Sequence, residues 1–547
     1  MTRIAFLALS ASLFACTAPT TIDTSPKAST AAASKTAPSG LCFTGGTILT
    51  GTDASATTVL TSGARIAAVG DMPCPRGSQT INLQGATLMP GLTDAHAHLI
   101  GIGLREMTLN LEGTESIADL QSRIRDAARD LDPGATLYGR GWIETHWPEG
   151  RFPTAADLDT VVPDRPVLLE RADGHALVAN TAALDASGIT GAMPAPAGGA
   201  INLDAAGRPT GMLIDNAMQL VSDLMPGLDA ATKREAYRRG AALYASRGWT
   251  HIHNMSQDPD DVALLEEMDA AGELPIRVYN SLDTRDLSLV RDANPNDKVV
   301  TRAIKLYSDG ALGSRGAALL ADYSDDVGNA GLMTLEESEI LPLLREAAAL
   351  GVQVNTHAIG DRANRLVLDW YAQTAQPSDR WRVEHTQIVS LDDLPRFARL
   401  GVIPSMQPSH AIGDLHFAPD RLGSDRLEGG YAWRSLIDSG ARIAGGSDAP
   451  VEVGDPRIEF HAATRRTDLE GFSNADWNPG QRVTPDEALK MFTAWPAYAA
   501  FQEADLGTVE AGKLADFSIF TGSLTDGNAM DAETVMTVVD GKIVWER

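Results

Sequence analysis

The densest chemistry in this chain is the stretch Pro90-Gly91-Leu92-Thr93-Asp94-Ala95-His96-Ala97-His98. In an extended strand side chains alternate with a period of two, so His96 and His98 turn both rings to one side. Two neutral imidazoles so placed suit zinc or a similar first-row metal. A bland pair of polar histidines at a strand end would share the pattern, and His-x-His alone does not separate the two. More residues of the same chemistry follow: Lys305 in Ile304-Lys305-Leu306-Tyr307-Ser308-Asp309-Gly310, His357 in Asn355-Thr356-His357, His385 in Val383-Glu384-His385-Thr386, and Asp448 in Gly445-Gly446-Ser447-Asp448-Ala449-Pro450.

Each of these residues ends an apolar or β-rich segment. Eight such segments run through the chain, at 86–96, 249–255, 274–281, 302–309, 351–357, 381–387, 402–408 and 442–448. Eight is the strand count of a (β/α)8 TIM barrel, whose enzymes build their sites at the C-terminal ends of the strands. Helical patterns over 335–350 and 361–375 fill gaps between segments, as right-handed βα connections require. The long stretch of about 105–245 holds its own strand-like Arg165-Pro166-Val167-Leu168-Leu169-Glu170 and reads as an α+β insertion after barrel strand 1 that covers the barrel mouth. Short β-prone pieces punctuated by glycine fill 41–88, and 501–547 supplies more, with Asp540-Gly541 as a hairpin turn. The fold class expected is α/β: a barrel over 89–500 and a composite β-sandwich made from both chain ends, 41–88 plus 501–547.

The order His-x-His, Lys, His, His, Asp resembles the metal-ligand pattern of the amidohydrolase superfamily. Gly141-Trp142, Trp147-Pro148-Glu149-Gly150-Arg151-Phe152-Pro153, Arg171-Ala172-Asp173-Gly174-His175, Gln407-Pro408-Ser409-His410 and Gly446-Ser447-Asp448-Ala449-Pro450 look like its YtcJ-like branch, which includes N-substituted formamide deformylases. The resemblance runs from about residue 41 to 546. It implies a metal-dependent hydrolase of carbon–nitrogen bonds other than ordinary peptide bonds. By that resemblance His96, His98 and Asp448 would hold the more buried metal, His357 and His385 the more exposed one, and Lys305, as a carbamate with two anionic oxygens, would bridge two zinc or similar divalent ions; an unmodified Lys305 salt-bridged to Asp309 or Asp448, beside a single metal, is the competing arrangement. A shared hydroxide would attack the substrate carbonyl, with Asp448 as proton shuttle. The substrate expected is a small amide or N-substituted formamide; cyclic amides and N-acyl amino acids on the same site are alternatives, as is a non-catalytic ligand-binding lipoprotein.

His175, His410, Arg315 and Trp142 are the candidates for substrate contact: His175 from the insertion, His410 from the end of the seventh segment, Arg315 in a glycine-rich loop where it could meet a substrate carboxylate, and Trp142 with Trp147 and Tyr307 as an apolar wall. Each has a plainer reading, as a structural hydrogen bond, an exposed turn or core packing. The second His-x-His, His251-Ile252-His253, is expected to turn one ring toward the mouth. His146 and His416 read as loop residues, and His251 and His461 as satisfied or solvated imidazoles.

Arg3 and the apolar run Ile4 to Ala15 are of signal-peptide type, and Leu13-Phe14-Ala15-Cys16 resembles the bacterial lipoprotein box. Residues 1–15 would be removed and Cys16 lipidated, placing the protein at the periplasmic face of the outer membrane, with the membrane touched only through that anchor. Ala, Thr, Ser and Pro make up 19 of the 24 residues from 17 to 40, a composition that buries no core and reads as a flexible linker. Cys42 and Cys74 remain, as a disulfide or as two buried thiols. The formal charge of −27 disfavours a nucleic-acid or anionic-lipid surface and leaves a neutral or cationic small molecule as partner.

Overall fold

Runs such as Val299-Val300-Thr301-Arg302-Ala303-Ile304-Lys305-Leu306-Tyr307 are β-branched and apolar enough to be covered on both faces, the condition of a parallel strand inside an α/β fold. Eight strands of this kind form one parallel sheet in chain order: β1 (Leu92–Ala97), β2 (Trp249–Gln257), β3 (Arg277–Leu282), β4 (Val299–Tyr307), β5 (Gln353–Ala358), β6 (Arg382–His385), β7 (Ile403–Met406) and β8 (Ala444–Gly445). The sheet curls until its ends meet. Asp448 N–H donates to His96 O at 2.6 Å and His98 N–H to Ala449 O at 2.8 Å, so the barrel is nearly closed. The computed structural model describes residues 40–547 apart from 130, 133, 146, 173, 197–198, 226, 291–296, 474–476 and 526–527. The signal segment, Cys16, nearly all of the linker and His146 lie outside the described residues.

Helices cover the barrel, among them Glu337–Leu350 and Asp361–Thr374, within a residue or two of the patterns read from the sequence. Leu344 and Ala347 of the first and Val367 and Leu368 of the second are buried in the common core. Gly351 ends the first helix in the left-handed region at φ 70°, the usual glycine stop.

The first of the eight segments is two strands. Thr87–Pro90 pairs antiparallel with Phe517–Phe520 in a five-stranded sheet, and only after Gly91 does the chain enter β1. Strands Thr534–Val539 and Lys542–Glu546 complete that sheet through the Asp540-Gly541 turn, whose two residues both have positive φ, 52° and 66°. A four-stranded sheet from Leu41–Thr44, Thr58–Ser62, Arg65–Gly70 and Gln79–Asn82 faces it across a shared core in which Phe43 and Phe517 meet edge to face at 5.4 Å. Cys42 and Cys74, separated by 32 residues, are joined as a disulfide at the edge of this core. Closing a loop of that size stabilises by roughly 3–4 kcal/mol in the chain-entropy model.

Between β1 and β2 a six-stranded mixed sheet orders Gly199–Leu203, Pro209–Asp215, Ala176–Ala179, Val167–Arg171, Leu137–Trp142 and Leu109–Asn110. Its core includes Trp142, Trp147, Leu158 and Val178. Residues from this sheet and its loops line the cavity over the barrel.

Candidate metal centre

His96 ends β1 with His98 just beyond it, Lys305 lies near the end of β4, His357 near the end of β5, His385 ends β6, and Asp448 follows β8. Buried Asp94 holds the first of these from below. Its carboxylate accepts from His96 N–H at 3.1 Å, Ser447 N–H at 2.9 Å and Tyr244 Oη at 2.9 Å, so β1 and the turn after β8 hang on one side chain. Burial pushes the Asp94 acid up to about 6. Gly446 makes the approach possible, since a β-carbon there would meet His96 N at 2.4 Å.

The acceptors facing the two rings assign a proton to each Nδ1. His96 Nδ1–H donates to the Glu384 carboxylate at 2.5 Å, and His98 Nδ1–H to the Met255 carbonyl at 3.0 Å. Both Nε2 atoms face the same oxygen: Asp448 Oδ1 lies 3.4 Å from His96 Nε2 and 3.0 Å from His98 Nε2, the second a hydrogen bond. Among the described residues buried His96 Nε2 has no hydrogen-bond partner. An unpartnered buried imidazole nitrogen beside a second imidazole and a carboxylate is a donor set that fits a divalent metal. His385 adds to it: its Nδ1–H donates to Gln407 Oε1 at 3.0 Å, and His96, His385 and Asp448 offer ligand atoms all within 4.8 Å of one another.

Burial, with Lys305 nearby, lowers His96 to about 4, and burial with neighbouring His357 takes His385 well below the ordinary histidine range. Both rings are neutral ligands at pH 7. Burial raises the Asp448 and Glu384 acids, but His96 and its companions outweigh it at Asp448, and Arg382 with His96 holds Glu384 down to about 2. Lys305 is 2% exposed, and burial lowers its amine. Among the described residues no ion pair holds it, so the salt bridge to Asp309 or Asp448 is not formed. Asp309 instead accepts three backbone N–H groups, from Ala318, Ile359 and Gly360, and faces His357 Nε2 at 3.4 Å.

These residues open into a cavity of about 560 Å³ lined also by His175, His410, Tyr307, Leu312, Phe417 and Glu452. His175 Nδ1–H donates to Asp215 at 2.8 Å. Two of the expected substrate contacts fall elsewhere. Trp142 is fully buried in the insertion core, where its indole N–H donates to Leu169 O at 2.9 Å, and it does not reach the cavity. Arg315 forks onto the Asp325 carboxylate at 3.1 and 2.8 Å and points away, while Leu312 and Gly313 of its loop line the wall. His251 and His253 are both buried inside the barrel, and neither ring reaches the mouth. Glu384 lies outside the family ligand pattern, and its signal in the sequence is the charged Arg382-x-Glu384 pair in an otherwise apolar buried strand. His385 has φ 72°, so consecutive Glu384 and His385 both reach the centre, which period-two counting forbids.

Residues 79–545 match the model of the amidohydrolase family. The chain belongs to that family. YtcJ of Bacillus subtilis is 33% identical over 486 residues, covering 86% of this chain and 91% of its own. The N-substituted formamide deformylase of Arthrobacter pascens is 29% identical over 521 residues, covering 89% and 95%. The crystal structure of a metal-dependent hydrolase from Pyrococcus horikoshii OT3 superposes with a TM-score of 0.75 at 24% identity, over 90% of this chain and 99% of that one, and shows the same fold. Family membership makes this chain a hydrolase, and its His96, His385 and Asp448 donor group fits a divalent metal.

Proposed function

We propose that this amidohydrolase cleaves the C–N bond of a small amide or N-substituted formamide-like molecule, with Asp448 moving the proton. The observation that carries the reading is the convergence of His96, His98 and His385 on Asp448 at the floor of a substrate-sized cavity. The formamide deformylase relative supports the substrate class. His96, His98 and Asp448 would hold one divalent ion, zinc or a neighbour, and His357 and His385 a second, with Lys305 as carbamate between them. Such ions supply Lewis acidity and a water whose pKa is lowered toward neutrality. Asp448 would accept a proton from the attacking water and return it to the departing nitrogen, a role supported by its Oδ2 lying on the cavity side, 3.7 Å from His410 Nε2. Glu384 and the Met255 carbonyl keep His96 and His98 in the tautomer that ligates. His175, fixed by Asp215, contacts substrate from the insertion side.

The test is metal content. Residues 38–547 form one compact unit, which can be loaded with zinc and bicarbonate and counted by plasma emission. Two ions per chain in the wild type, falling on Lys305→Ala, and chelator-sensitive release of amine from an amide panel are expected. One ion unaffected by that change would remove the carbamate bridge, and none would remove the catalytic reading.

For location we propose export and lipid anchoring through Cys16 at the periplasmic face of the outer membrane, on the apolar run and Leu13-Phe14-Ala15-Cys16. Among the described residues no helix is long and apolar enough to cross a membrane. Labelling with radioactive palmitate, lost on Cys16→Ala, is the expected result; a soluble unlabelled protein would overturn it.

A further inference from the structure

Charge in the cavity is unevenly matched. On the insertion side Arg171 pairs with Glu144 at 2.8 Å and Arg140 faces Glu170 at 3.4 Å, so both cations that line the cavity there have carboxylates behind them. On the barrel side Glu452, in the loop after β8, has no such partner. Among the described residues no lysine or arginine comes within ion-pair distance of it, and His410 Nε2 lies 3.9 Å from its Oε1. The loop that carries it is firmly held: the Glu452 and Val453 carbonyls accept from Arg105 Nη1 and Nη2 at 3.1 and 3.2 Å. Burial, with the carboxylates of Asp414 and Glu112 nearby, pushes the Glu452 acid up to about 8, so an arriving ammonium would favour loss of that proton and be met by the carboxylate.

His410 is the independent second observation. It is 8% exposed, and Gln387 Nε2–H donates to its Nδ1 at 3.2 Å, which puts the ring proton on Nε2. That buried N–H has no hydrogen-bond partner. It lies 3.7 Å from Asp448 Oδ2 and 3.9 Å from Glu452 Oε1, beyond the reach of a good hydrogen bond to either. A buried donor without an acceptor marks the place of a missing partner.

We propose that Glu452 and His410 form a subsite for a substrate bearing a basic amine beside its scissile carbonyl, the ammonium donating to Glu452 and His410 Nε2–H donating to the carbonyl oxygen. A cation settles the unmatched carboxylate, and an oxygen settles the unmatched N–H. A carboxylate-bearing substrate gains no such pairing, because it brings Glu452 no cation and the two arginines are already engaged. The proposal rests on the reading of this cavity as the substrate site and deepens it to a substrate class.

The experiment reads binding, so that it does not depend on turnover. Zinc-loaded residues 38–547 are titrated calorimetrically at pH 7 with N-(2-aminoethyl)acetamide, a cation, and with its neutral isostere N-propylacetamide. The cation is expected to bind about tenfold more tightly or better, as a charged hydrogen bond in a partly buried site would give. Glu452→Gln should remove most of that difference, and His410→Phe should weaken both probes. Glu452→Lys should reverse the preference, in favour of 3-acetamidopropanoate, and this keeps the test sharp if one variant folds poorly. Equal binding of the two probes, no binding of either, or a preference that survives Glu452→Gln overturns the subsite. A clear preference with no amide ever turned over leaves the subsite standing and sinks the hydrolytic reading; turnover of neutral amides without preference does the reverse.

Discussion

Asp448 serves two purposes with one carboxylate: Oδ1 faces the Nε2 atoms of His96 and His98 and Oδ2 faces the cavity. Its backbone has φ 61°, a left-handed conformation that aspartate and asparagine tolerate better than most residues. Asp448→Asn should therefore keep the fold, with a melting temperature within a few degrees, while turnover falls by about 10²–10⁴; near-normal kcat in the purified, metal-loaded variant would end the shuttle assignment. His251 makes a different prediction. Both ring nitrogens are buried without partners, and burial with nearby Arg277 lowers the ring to about 3 from its ordinary 6.5. Between those values the unfolded chain binds the proton and the folded one does not, so this residue makes stability fall as pH drops from 6.5 toward 3, by up to ~1.4 kcal/mol per pH unit. Denaturant titrations of the apoprotein across that range should show a shallower slope for His251→Phe; an unchanged slope would mean the ring protonates in place. At this scale residue type was legible where a strand end fixed the direction of the side chain, as for His96 and Asp448. It failed for Trp142 and Arg315, because type does not say whether Leu169 O or Asp325 has already claimed the polar group.

Elements were legible wherever burial on both faces left a continuous apolar run, which is why seven of the eight barrel segments fall close to the strands. The first segment misled because Thr87–Pro90 and Leu92–Ala97 are equally apolar; they belong to different sheets only because Gly91 and the C-terminal strand Phe517–Phe520 divide them. No local pattern contains that information, since the partner lies more than four hundred residues away. The joint between the sheets is a buried ion pair: Arg277 at the start of β3 donates to Asp516 through Nε at 2.6 Å, both side chains being 2% exposed, and also meets Asp540 in the hairpin turn. Removing one partner leaves a charge stranded in the interior. Asp516→Ala should cost about 3 kcal/mol or more, read as a lower denaturant midpoint, and the double change Arg277→Met with Asp516→Leu should recover much of it. If the single variant is as stable as the wild type, the pair is not what joins barrel to sandwich.

Across the whole molecule, function is concentrated where chain ends and barrel ends come together. Both termini of the described chain build the sandwich, the sandwich fixes β1 through the Leu92 N–H bond to Ser518 Oγ at 2.9 Å, and β1 carries the first two ligands. The insertion then roofs the cavity, and that part was the least legible, because its six strands, though nearly in reverse chain order, mix parallel and antiparallel pairs. One consequence concerns the place where the barrel shuts. Its last and first strands are fastened by Asp448 N–H to His96 O and His98 N–H to Ala449 O, the backbone of the very residues whose side chains would grip the ion. The ion would be a clasp on a hoop. Binding that favours only the shut hoop stabilises it by about 4 kcal/mol when free metal is a thousandfold above its dissociation constant. Stripping the ion should then spring the hoop at one point: amide exchange should quicken first at His98 and Asp448, while β4 and β5, on the opposite side, keep their protection. A uniform change around the ring would show that closure and metal loading are separate events.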